Sequence, residues 1–290
     1  LGLLNRSYET DAAFDPSGQK TQWERFAHLV TSLNAHASPG TQYKVLYLAR
    51  HGEAYHNVAQ SYYGVDCWEC YWSQQQGNGT VTWADAELTP KGVAQVTAAN
   101  LFWKNALTST KPPMPQSFYV SPMARCLNTA NTTWGDIPGE KGHTFSPTVK
   151  ELLREPLNAC TCGWRHSKSW IHELYPSYVL EQGFSEEDNL WKAGFIVESS
   201  TGLLARVKTL LDDVFASDSN TFISFTTHGV VINPLLQIIG HPNPAFNVTA
   251  GQIIPVLIKA QENTALENVS ATAPPSAAKT CLPCSSGKVT

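Results

Sequence analysis

Apolar positions along this chain keep two different rhythms. Residues 43–49, 118–120 and 221–227 are short runs, almost wholly apolar or β-branched and without helical spacing. Runs of that length and composition form strands buried on both faces, the habit of parallel sheets. Between them the spacing changes to three and four. Trp23, Phe26, Leu29, Val30 and Leu33 form such a stripe over 22–33, residues 200–215 carry a leucine and valine face, and 230–239 is largely apolar. Each predicts a helix packed on the sheet. Thr89 and Pro90 are an N-cap and a first-turn proline for a further helix reaching about residue 107, and 123–130 reads as another. Strand-like stretches at 148–153 and 253–260 complete the set. Strands alternating with helices predict an α/β fold, a three-layer α/β/α domain over 1–262 with a mostly parallel central sheet.

Some stretches keep neither rhythm. Residues 1–20 are polar and turn-rich, an arm over the surface. Residues 53–86 and 157–191 are two irregular insertions, and 263–290 is a Ser/Thr/Ala/Pro-rich tail, read as disordered unless its cysteines tie it down. The first insertion holds Tyr62, Tyr63, Trp68, Tyr71, Trp72 and Trp83; the second holds Trp164, Arg165, His166 and Trp170. The aromatic residues are either a wall over a pocket or packing that holds the loop to the body. Both readings stand at this point.

The strand ends carry the chemistry. Residues 43–49 run into Arg50-His51-Gly52-Glu53, and 221–227 run into His228-Gly229. In open α/β sheets ligands bind at the carboxyl ends of strands, so two strand-His-Gly units put two imidazoles on one edge. One Arg-His-Gly is common by chance; the repeated arrangement is far less so. Arg125 falls in the first turn of a helix, where free N–H groups and the dipole favour anions. Glu155, stopped by Pro156 after a strand, is placed as an acid over the same edge.

Charge and composition narrow the classes. A net charge of −4 gives no basic footprint for nucleic acid or an anionic membrane, and no run approaches the roughly 20 apolar residues of a membrane span. The expected partner is a small molecule. The chain opens on Leu1, as a trimmed precursor would, and Asn5, Asn78, Asn131, Asn247 and Asn268 each head a glycosylation acceptor. Its seven cysteines form three close pairs, Cys67/Cys70, Cys160/Cys162 and Cys281/Cys284, with Cys126 alone. This pattern suits a secreted or extracellular glycoprotein with disulfides and a buried free thiol, with a structural zinc site as the rival. Spacing does not give the connectivity.

Arg50-His51-Gly52-Glu53, Ser121-Pro122-x-x-Arg125, Leu153-Arg154-Glu155 and Thr227-His228-Gly229 occur in the order shown by the histidine phosphatase superfamily, over 43–260. The chain resembles the branch containing cofactor-dependent phosphoglycerate mutase. The acid phosphatase and phytase branch reads Arg-His-Gly-x-Arg-x-Pro and later His-Asp, whereas here Ala54, Tyr55 and His56 follow Glu53, and Val230 follows Gly229. The mutases share Asn57 but carry serine in place of Ala54 and a Glu-Arg-His-Tyr-Gly stretch absent from this chain. Similarity is greatest to fungal phosphatase-like members with Arg-His-Gly-x-x-x-His-Asn and, after Leu-Arg-Glu, a run rich in Cys, Arg and Ser such as 161–169.

The resemblance implies a metal-independent phosphomonoesterase acting on a small phosphate ester through a phosphohistidine. His51 would be the nucleophile, its tautomer fixed by a hydrogen bond from the other ring nitrogen to a backbone carbonyl. Arg50, Arg125 and His228 would surround the phosphoryl oxygens, with Asn57 and Gly229 beside them. Glu155 would be the acid and then the base, with Glu151 as fallback. The two arginines supply the positive charge, so no metal or cofactor is required. The alternatives are a phosphoglycerate mutase-type phosphotransferase, or a repurposed member binding or converting a ligand without phosphate. The two insertions are expected to set the substrate.

Overall fold

The computed structural model describes residues 3–138, 145–191, 197–262 and 284. Apart from Cys284, the expected tail lies outside the described residues, as does the Asn268 acceptor. Helices α1 (Asp11–Phe14) and α2 (Gln22–Ala35) precede strand β1 (Thr41–Arg50), followed by α3 (Tyr55–Tyr63), α4 (Val65–Cys70) and α5 (Pro90–Ser109). Strand β2 (Ser117–Val120), α6 (Ala124–Trp134), β3 (Thr148–Val149), α7 (Lys168–Leu174) and β4 (Val179–Leu180) form the middle of the chain. Helix α8 (Ser200–Ser217), β5 (Phe222–Thr227), α9 (Gly229–Ile238) and β6 (Ile253–Gln261) close it.

The six strands form one sheet in the order β4-β3-β2-β5-β1-β6, parallel except for β6, which runs antiparallel to β1. Alternation along β1 divides the core. Leu46 and Leu48 face α8 and α9 through Val207, Leu210, Ile232 and Leu235. Val45, Tyr47 and Ala49 face α2, α5 and α6 through Trp23, Val30, Trp103 and Trp134. This is the expected α/β/α sandwich. Trp103 and Trp134 are fully enclosed, with ring centroids 4.6 Å apart, and truncating either to alanine costs about 3–5 kcal/mol.

The structure corrects several expectations. The strand read over 148–153 stops at Val149: Lys150 N–H makes the last ladder bond to Val120, and Glu151–Leu153 turns as a 3-10 helix. The insertions are not irregular, since α3 and α4 occupy the first and α7 and β4 the second. Their aromatics pack rather than line the site. Trp68 and Trp83 are buried with Leu88 and Val96, Trp83 Nε1 donates to the Trp72 carbonyl, and Tyr63 stacks on Trp72 at 4.2 Å. Buried Asp85 fastens both insertions to the start of α6, accepting from Ala124 N–H and from His166 N–H and Nδ1. Disulfides join Cys67 to Cys284 and Cys160 to Cys162; Cys70 is also disulfide-bonded, and Cys126 is free and buried.

Candidate active site

Strands β1 and β5 are parallel neighbours with Arg50 paired to Thr227, so they end at the same height. His51 N–H continues the ladder to the Thr227 carbonyl at 3.0 Å, and the His51 and His228 rings leave the sheet with centroids 5.1 Å apart. Gly52 is required here because a Cβ would come within 2.6 Å of the Gly92 carbonyl oxygen. The Gly52 carbonyl accepts from His51 Nδ1 at 2.7 Å. A neutral His51 therefore keeps its lone pair on Nε2.

His228 is held the other way round. Its Nε2 lies 2.9 Å from Ser121 Oγ, and its Nδ1 faces Arg125 Nη2 at 3.4 Å. A guanidinium only donates, so Nδ1 is the acceptor and the His228 proton sits on Nε2, donating to Ser121. Burial, followed by the Arg125 charge, pushes the pKa of His51 and of His228 well below the ordinary imidazole range. Both rings are therefore held toward the neutral form.

Arg125, the second residue of α6, has no exposed side-chain surface. Its Nη1 donates to the Cys162 carbonyl and its Nη2 to Glu155 Oε2 at 2.5 Å. Arg50 donates through Nη1 to the Val248 carbonyl at 2.7 Å, and Gly229 lets its guanidinium lie across the start of α9, where a Cβ would sit 3.3 Å from Nε. The Nε–H groups of both arginines are buried without a partner among the described residues. Two cations with buried spare Nε–H donors on one sheet edge are suited to an oxyanion.

Glu155 is held at this edge by the contacts of the segment leading out of the short β3. Arg154 pairs with Asp188 and donates to the Gly163 carbonyl, while Arg206 donates to the carbonyls of Leu152 and Arg154. The Glu155 carboxylate lies 3.8 Å from His228 Nδ1 and is 22% exposed. Glu151, the fallback acid, is instead bound by Arg154 and Arg165, and the 3-10 turn directs it to that network. Arg50, His51, Asn57, Glu155 and Gly229 line one cavity of about 230 Å³, with Arg125 and His228 behind it. All seven expected site residues thus come together.

Two features were missed from sequence. His56 is buried, its ring 5.6 Å from His51. Ala54 N–H donates to Asn57 Oδ1, which turns the Asn57 amide nitrogen toward His56 Nε2 at 3.0 Å. His56 therefore carries its proton on Nδ1, and Asn57 keeps one N–H for the cavity. The motif contained both residues, but only the amide orientation reveals their coupling. Among the described residues, the cavity's outer wall comes from α9 and residues 245–248, including Val230 and Phe246, and the first insertion contributes Asn57 but none of its aromatic residues.

The family model of the histidine phosphatase superfamily (branch 1) matches residues 46–264. The chain belongs to the histidine phosphatase superfamily, branch 1. Among relatives, this histidine phosphatase is 43% identical over 264 residues to an Arthroderma benhamiae protein named "Probable phosphoglycerate mutase", covering 91% of this chain and 78% of that one. It is 32% identical to the Saccharomyces cerevisiae "Probable phosphoglycerate mutase PMU1", covering 84% and 86%. A solved mycobacterial glucosyl-3-phosphoglycerate phosphatase in complex with VO3 aligns with a TM-score of 0.45 at 21% identity, over 76% of this chain and 97% of that one.

Proposed function

We propose that this histidine phosphatase hydrolyses small phosphate monoesters without a metal, through a phosphohistidine on His51. The observation that carries the reading is the His51 tautomer, because the Nδ1 bond to the Gly52 carbonyl leaves Nε2 as the nucleophile. Nε2 attacks phosphorus as the bond to the ester oxygen breaks, and Glu155 gives its proton to that oxygen. Water then attacks the phosphohistidine, the Glu155 carboxylate takes its proton, and the P–N bond breaks to release phosphate. Arg50 and Arg125 stabilise the charge spread over the phosphoryl oxygens. An incoming phosphate competes with Glu155 for Arg125 Nη2, which frees the carboxyl for proton transfer. The phosphate's negative charge also opposes the effect of Arg125 on His228, so binding favours a second proton on that ring and makes Nδ1 a donor.

The relatives' names favour a second reading, in which the phosphoryl group passes to another hydroxyl rather than to water. Turnover of an aryl phosphate in the presence of a chelator, by the native protein and by His51→Ala, tests hydrolysis. The reading predicts phosphate release by the native form alone. No release from any of a panel of phosphate esters across acidic and neutral pH would overturn it, and activity that depends on a bisphosphorylated activator would favour the mutase.

Secretion is part of the proposal. Its support is the disulfides and the exposed acceptors Asn5, Asn78 and Asn131, which lie outside the cavity. A glycosidase-sensitive mass on the protein isolated from its own cells is the expected result; an unmodified mass with reduced thiols would contradict it.

A further inference from the structure

We infer that the leaving group accepted by this site is uncharged and partly apolar, seated against Val230 and Phe246. The inference rests on the reading of the strand-end cluster as the phosphate cradle. Once the residues of that cradle are set aside, the cavity wall consists of Val230, Asn233, Ala245, Phe246, Asn247 and Val248. Four are apolar and two are neutral amides.

Val230 is 48% exposed and Phe246 36%, although the next residues of α9, Val231 and Ile232, are completely buried. Large apolar side chains kept in water at the mouth of a polar cradle form a binding surface rather than core. The wall is also held in place. With its amide nitrogen toward the loop, Asn233 donates to the carbonyls of Pro244 at 3.2 Å and Phe246 at 2.9 Å. Arg50 holds the neighbouring Val248 carbonyl, so the loop is tied to α9 on one side and to the cradle on the other. A preformed wall loses little freedom when a ligand arrives, so less of its apolar contribution to binding is offset by ordering.

Charge points the same way. None of the wall residues carries a charge, so the amides of Asn233 and Asn247 offer a second anionic group on the substrate no compensating charge. A phosphoglycerate, whose carboxylate would enter this wall, is a poor fit. A short alkyl or aryl phosphate is a good one.

Calorimetric binding of two non-hydrolysable probes, butylphosphonate and its analogue ending in a carboxylate, reads the wall without requiring turnover. Butylphosphonate should bind at least about tenfold more tightly, a discrimination of the size hydrophobic pockets achieve. Phe246→Ala should reduce by several-fold the affinity for butylphosphonate relative to inorganic phosphate, and Val230→Lys should shift the preference toward the carboxylate probe. Equal or tighter binding of the carboxylate probe by the native protein would overturn the inference. So would a Phe246→Ala protein that binds inorganic phosphate while keeping the native ratio. Apolar preference in a protein that hydrolyses no ester would uphold the inference and overturn only the proposed hydrolysis.

Discussion

His51-Gly52 and His228-Gly229 are the same dipeptide at the ends of adjacent parallel strands, yet the fold gives the two imidazoles opposite tautomers. His51 is tied through Nδ1 to a carbonyl one residue away, leaving Nε2 as a lone pair. His228 is tied through Nε2 to Ser121 on a different strand end, and its Nδ1 lies between Arg125 and Glu155. Under the proposed mechanism one ring attacks, and the other gains a proton and holds the phosphate. The difference arises from which nitrogen finds a partner, so local sequence cannot assign the roles.

Replacing each histidine separates these roles most sharply. Under the proposed mechanism His51→Ala loses the nucleophile, and kcat/KM on an alkyl phosphate should fall by about 10⁴ or more. His228→Ala should lose about 10² to 10³, the scale for one electrostatic donor, and should still form the phosphoenzyme. Equal losses with no phosphoenzyme in either would erase the distinction. Glu155→Gln retains a group that can accept from Arg125 but cannot deliver a proton. It should cost about 10² to 10⁴ on alkyl esters and much less on aryl esters, whose leaving oxygens need little protonation. A uniform loss across leaving groups would remove Glu155 from the acid role.

The smallest kinetic effect tests the His228 tether. Ser121→Ala removes one neutral hydrogen bond, about 1 kcal/mol, and should lower kcat/KM about fivefold by way of His228 alone. In a His228→Ala background the same substitution should then be nearly silent.

The histidine cluster also couples stability to pH. His51, His56 and His228 are all held neutral, with pKa values well below 6.5, chiefly by burial. The unfolded chain takes up protons on these rings near pH 6.5 and the folded chain does not. Stability is therefore lost as pH falls below about 6.5. Tm measured by calorimetry should drop on acidification over that range, and His56→Phe should reduce the slope. A flat Tm from pH 7 to 5 would contradict the buried-neutral description.

The strand ends were legible because their signals are local. A β-branched run broken by His-Gly states its own position, and the helix start that follows Ser121-Pro122 does the same for Arg125. Glu151 and Glu155 are only four residues apart in sequence, and it took the 3-10 turn after Val149 to direct one into an arginine network and leave the other at the cavity. The aromatic insertions left two readings open for a related reason. Trp68 and Trp83 have the composition of a binding wall, but whether an indole faces a pocket or a neighbouring indole is decided by packing across the fold. Phe246 carried no periodic or motif signal and Val230 figured only as a helix residue after Gly229; their meeting at the cavity depends on how the loop before β6 folds back on α9.

The most direct test of the central claim is to mix the native protein with a fast aryl phosphate, quench in base, which preserves phosphohistidine, and map the phosphate by mass spectrometry. The account predicts phosphate on His51 and on no other histidine. Phosphate on His228, or none on any residue during active turnover, would contradict it.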